Sequence, residues 1–126
     1  MRRFAIALTA LLLLGIFSVY NQYHYREVTE ALRHQLAEAV SLARAEEPEA
    51  AIAAMERLRS ETDRHLSYFN ITTNHSEIDL MFEAIDRALA ALREGKLATY
   101  YIEAELLNAQ IHHIYETECI TFENVF

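Results

Sequence analysis

Between Arg3 and Arg26 the chain carries no charged side chain, and residues 4–20 read FAIALTALLLLGIFSVY. As a helix rising about 1.5 Å per residue, residues 4–23 are roughly 30 Å long, the thickness of a bilayer's hydrocarbon core. A segment of that length limits what the remainder can do, because everything after it starts at a membrane surface. Two readings compete. A cleaved secretory signal also begins basic and apolar, but cleavage needs small residues in an A-x-A-like pattern just past the apolar core. Here the run leaves through Ile16-Phe17-Ser18-Val19-Tyr20 and continues into Tyr23 and Tyr25, where bulky residues interrupt that pattern. Tyrosines at this position suit a membrane–water interface, with the ring buried and the hydroxyl wet. The sequence therefore favours an uncleaved anchor over residues 4–23. Arg2 and Arg3 are expected on the cytoplasmic side, with the C-terminal domain extracytoplasmic.

Beyond the anchor about a hundred residues remain, enough for one small domain. The chain holds 19 acidic and 11 basic side chains, and Arg2 and Arg3 precede the apolar run, so nine basic groups face 19 acidic ones in the remainder. That balance repels nucleic acid and disfavours peripheral binding to anionic lipid. Two glycines and one proline leave few turn formers for an all-β fold. The single cysteine, Cys119, has no partner for an internal disulfide.

Apolar spacing divides the rest into helices. Val28, Leu32, Gln35, Leu36, Ala39 and Ala43 continue the anchor helix to about Ala45. Pro48 opens a second helix to about Tyr68, with Ala51, Met55, Leu58, Thr62, His65 and Phe69 on one side. Asn74 and Glu77 have capping-box spacing before a third helix striped by Ile78, Met81, Phe82, Ile85, Leu89 and Leu92. Gly95 stands where a left-handed C-cap ends that helix. Leu97, Tyr101, Ala104, Leu107, Ile111 and Ile114 mark a fourth, to about Glu118. Of Tyr100 and Tyr101, one is expected in the core and one at the surface. Short connections make consecutive helices antiparallel neighbours. The expected fold is all-α: a single N-terminal transmembrane helix continuing into an up-down antiparallel four-helix bundle. Its parts are residues 1–23 (basic start and anchor), 24–118 (bundle) and 119–126 (an apolar C-terminal tail docked back on the bundle). This connectivity is expected to gather His24, His65, His75, His112 and His113 near the membrane end, with His34 apart.

In several particulars the chain resembles a family of small bacterial membrane-anchored proteins known as domain of unknown function 4363, found largely in Gram-positives. The specific parts are His75-Ser76-Glu77-Ile78-Asp79 opening a helix and the ending Glu123-Asn124-Val125-Phe126. The chain departs from the family in lacking the tryptophan that many members carry in the second helix, and in having little lysine. The resemblance implies the anchored helical architecture and no reaction. Antiparallel connectivity brings both segments to one level, so His75, Glu77, Asp79, Phe122, Asn124 and Phe126 form the candidate interaction surface.

Chemistry-bearing patterns are sparse. Glu61 with His65, His75 with Asp79, and His112 with Glu116 each stand one helical turn apart, a spacing that suits metal binding. Bundle carboxylate sites use inward Glu-x-x-His pairs, and none occurs here, so no metal or other cofactor is assigned. Cys119 near His112 or His113 makes a dyad without an oxyanion donor. Asn70-Ile71-Thr72 and Asn74-His75-Ser76 match glycosylation acceptors, which a bacterial chain normally leaves unused. The sequence thus points to a non-enzymatic, single-span membrane protein whose external domain serves another membrane protein. The rival is a metal or small-ligand sensor built on the histidine and carboxylate cluster.

Overall fold

The computed structural model describes residues 1–65 and 75–125, with side chains described up to residue 117. Among these residues the chain forms α1 (Arg2–Arg44), α2 (Pro48–Arg64), α3 (His75–Arg93) and α4 (Leu97–Val125), with no strand. The unbroken α1 follows from composition: from Arg2 to Arg44 nothing but Gly15 is a poor helix former of the glycine or proline kind, and one glycine is tolerated in so long a helix. Up to Tyr20 it is almost wholly exposed among the described residues. Phe4, the four leucines 11–14 and Phe17 are all exposed, and only 6% of the apolar window is buried. The second half turns Tyr25, Val28, Leu32, Leu36, Ala39 and Ala43 into the core.

Both three-residue connections at the distal end use one device. Gly95 has φ 73°, its N–H donates to the Leu92 carbonyl at 3.2 Å, and Lys96 N–H reaches back to Ala91 at 2.9 Å. These two bonds satisfy carbonyls that a helix end leaves orphaned. At the end of α1 the same pair of bonds runs from Glu46 to Ala43 (3.2 Å) and from Glu47 to Leu42 (3.1 Å). There the left-handed residue is Glu46, at φ 61°, which carries a Cβ penalty that Gly95 does not. Pro48 then occupies the first turn of α2, where its missing N–H costs nothing.

The helices form an up-down-up-down bundle in which α1 packs on α2 and α4, and α3 packs on the same two. The expected stripes supply the core. Met55, Leu58, Ile85, Leu107 and Ile111 are buried, and Tyr100, not Tyr101, is the core tyrosine. Alanines at 39, 43, 51, 54, 88 and 91 are buried in the same core as Tyr100. Its hydroxyl is buried without a hydrogen-bond partner among the described residues, and burial pushes its pKa up to about 12.

Three features differ from the sequence expectation. Tyr101, counted in the core stripe, is only half-buried, and Tyr100 takes the core position instead. Leu97, assigned to the core stripe, is 39% exposed, because at the first position of α4 it stands above the packed layers. The fourth helix does not stop near Glu118 but runs to Val125. Periodicity reports a packed face rather than helicity, and residues 119–125 contain neither glycine nor proline to end a helix already propagating. Whether the side chains of 119–126 dock on the bundle lies outside the described residues, as do Phe69 and the Asn74 cap.

Candidate functional site

The candidate surface is anchored where α3 begins. Glu77, half-buried in its first turn, faces His113 of α4, with Oε1 3.7 Å from Nε2. This pair joins the family-like segment to the return helix, as antiparallel connectivity requires. His75 and Asp79, on the same turn, are exposed. Phe122, Asn124 and Phe126 lie on the last turns of α4 or beyond it, where side chains are outside the described residues. Asn70 belongs to the undescribed 66–74 segment.

The other His–carboxylate spacings resolve into separate surface pairs. His65 Nε2 is 3.8 Å from Glu61, whose carboxylate is also taken by Arg64. His112 Nε2 is 3.0 Å from Glu116, and its other nitrogen is 3.4 Å from Arg33 of α1. The contact with Arg33 puts His112 within a turn of His34, the histidine expected to stand apart. His24 lies nine residues closer to the N-terminus than Arg33, some 13 Å along the axis, where it stacks on Tyr20 at 6.2 Å. The cross-helix pairs thus set His65, His75, His112 and His113 near one level, with His34 close to it and His24 below, but His65, His112 and His113 each stand beside a different carboxylate. Among the described residues, no three His, Cys, Asp or Glu side chains converge as a metal ion requires.

A second surface was not foreseen. Along the seam of α1 and α4 runs an open groove of about 1060 Å³. Its floor includes Leu36, Val40 and Ala104, and its walls carry Arg33, Arg44 and Tyr101. Arg33 donates through Nε to Asn108 at 3.0 Å, and the Arg44 guanidinium lies over the Tyr101 ring, 5.5 Å from its centroid. Arginine also ties the other seams, but to carboxylates: Arg57 to Glu38 (3.9 Å), Arg59 to Asp86 (2.7 Å), Arg93 to Glu56 (2.8 Å) and Arg87 to Glu103 (3.1 Å). The groove had a sequence signal. Arg33, Ala37, Ser41 and Arg44 recur at helical spacing on one face of α1, small residues between two cations.

No curated protein and no solved structure matches the chain significantly. One family model does, and it begins near the end of the apolar run, so that it covers the bundle. The chain belongs to that family, described as a domain of unknown function (DUF4363), whose model matches residues 19–125.

Proposed function

We propose that the chain is a single-span membrane protein, held by residues 4–23, whose extracytoplasmic bundle is a non-enzymatic interaction or accessory module for a membrane protein partner. The observation that carries this reading is the two-part character of α1. Its first half exposes a charge-free apolar surface long enough to span a bilayer, and its second half is a core helix of the bundle. An exposed face of that kind is stable in lipid and costly in water. Because one helix does both jobs, the bundle has a fixed stance on its anchor, which suits a domain that presents a surface at a set height. Arg2 and Arg3 favour an N-terminus inside the cell. His65, His112 and His113 each stand beside one carboxylate at the surface, an arrangement that fits packing and recognition better than turnover.

The full chain purified from membranes in mild detergent tests this reading. The expected result is a membrane protein retained in stoichiometric amount and no bound metal. A metal ion held one to one, and lost in both His75→Ala and His112→Ala, would overturn it in favour of a sensor.

A further inference from the structure

Every basic side chain of the described bundle stands within ion-pair distance of a carboxylate, with two exceptions. Those two are Arg33 and Arg44, and both line the α1–α4 groove. They are 11 residues apart on α1, about 16 Å along one face. In a chain with a formal charge of −8, the two cations outside any ion pair among the described residues stand on one seam, whose lining also includes Glu30 and Glu105. On the α4 rim of the same groove two large aliphatic side chains are exposed one turn apart, Ile102 (63%), which lines it, and Leu106 (55%), with Glu105 of the lining exposed between them. Exposed Ile and Leu at adjacent turns make an apolar ridge, and small residues flanked by arginines make a slot that takes a ridge with an acid on it.

Ridge and slot lie at the same height. Contacts of Arg33 with Asn108 and His112, and of Arg44 with Tyr101, set the register of the two antiparallel helices. In that register Ala37 is level with Leu106, and Ser41 is level with Ile102. We propose that the occupant of the groove is a second copy of this chain, related by a two-fold axis along the membrane normal. This rests on the anchor reading, since two copies held in one bilayer stand parallel and at equal height. Leu106 and Ile102 of each copy then enter the gaps at Ala37 and Ser41 of the other. Glu105 of each arrives between the other's Arg33 and Arg44, which offsets the repulsion of two acidic domains where they meet. The interface is self-complementary, as a two-fold dimer demands.

The test uses two full-length chains with different tags, both carrying Cys119→Ser, co-expressed in membranes. One carries Ala37→Cys and the other Leu106→Cys, so a short bis-maleimide can join them only between chains. Ser41→Cys with Ile102→Cys repeats the test at the adjacent turn, and Ser60→Cys with Glu83→Cys serves as the control on a distant face. The expected result is a cross-linked mixed dimer for both groove pairs and none for the control. Glu105→Arg on the Leu106→Cys chain should lower that yield at least fivefold, and adding Arg33→Glu with Arg44→Glu on the Ala37→Cys chain should restore it. If the chains resist carbonate extraction and trypsin yet neither groove pair cross-links, the dimer proposal is wrong and the anchor reading stands. If carbonate washes the chains out, the anchor reading fails and takes the equal-height argument with it.

Discussion

Ile85 and Leu80 are both large aliphatic residues of α3, little more than one turn apart, so hydrophobicity alone ranks them together. The fold separates them: Ile85 is 0% exposed and Leu80 is 51% exposed. Ile85→Ala removes a side chain from the middle of the core, where buried neighbours collapse only partly into the space, and should cost about 2–5 kcal/mol. Leu80→Ala removes a side chain that water already reaches and should cost less than about 1 kcal/mol. For a domain of this size each kcal/mol moves Tm by roughly 4–8 °C, so Ile85→Ala should lower it by about 10 °C or more and Leu80→Ala by only a few degrees. Glu83→Ala belongs with the small effects. It loses a 3.5 Å pair with Arg87, which keeps Glu103 at 3.1 Å. The assay is thermal melting of the full chain in micelles, followed by the near-UV signal of its tyrosines. The far-UV signal is unsuitable because the anchor helix stays helical in detergent. Equal shifts for the two aliphatic variants, or a larger one for Leu80→Ala, would mean that α3 presents a different face to the core.

Tyr100→Phe should raise stability at neutral pH by about 1 kcal/mol or more, because it removes a buried hydroxyl that has no partner among the described residues; a lower denaturant midpoint would show that the hydroxyl is bonded. The same variant has a pH signature. Tyr100 titrates near pH 12 when folded, against 10.0 when unconstrained, so between those values the folded chain holds a proton that the unfolded chain has released. Its contribution is complete below about pH 10 and is lost as pH rises toward 12, and Tyr100→Phe should flatten that part of the alkaline stability curve. Glu46→Gly should stabilise by about 0.5–1 kcal/mol by relieving a left-handed residue, whereas Gly95→Ala should destabilise by about 1–2 kcal/mol although its Cβ would meet no atom within 4 Å; chemical denaturation of the pair checks both signs. Arg59→Ala should cost under about 1 kcal/mol despite a 2.7 Å ion pair with Asp86, because both side chains are about half exposed; a larger drop in Tm would give its contact with the Phe82 ring more weight.

The stripes were legible because each bundle helix must bury one face, and Leu32, Met55, Ile85 and Leu107 repeat at the helical period that this requires. Gly95 was legible because glycine is what a left-handed cap selects. Glu46 was not: the same cap was made there by a residue whose type suggests the start of the next helix. The run of α4 to Val125 was not legible, because a helix end without an apolar stripe carries no periodic sign in the sequence. At the candidate surface, the meeting of Glu77 with α4 followed from antiparallel connectivity, although the sequence did not single out His113 as its partner. The α1–α4 groove was hardest to see. Arg33 and Arg44 have ordinary surface spacing, and only the rotation of two neighbouring helices decides that both stand at one seam outside any ion pair among the described residues.

The central claim is that residues 4–23 span a bilayer with the bundle outside. Labelling of Ser60→Cys, in a chain carrying Cys119→Ser, by an impermeant maleimide in right-side-out vesicles tests it most directly. Ser60 is exposed on α2, so accessibility reports the side of the membrane and not burial. The account predicts full labelling without detergent, on a carbonate-resistant chain that retains its N-terminal residues. Labelling that appears only after the vesicles are opened, or a mature chain starting near Tyr20, would contradict it.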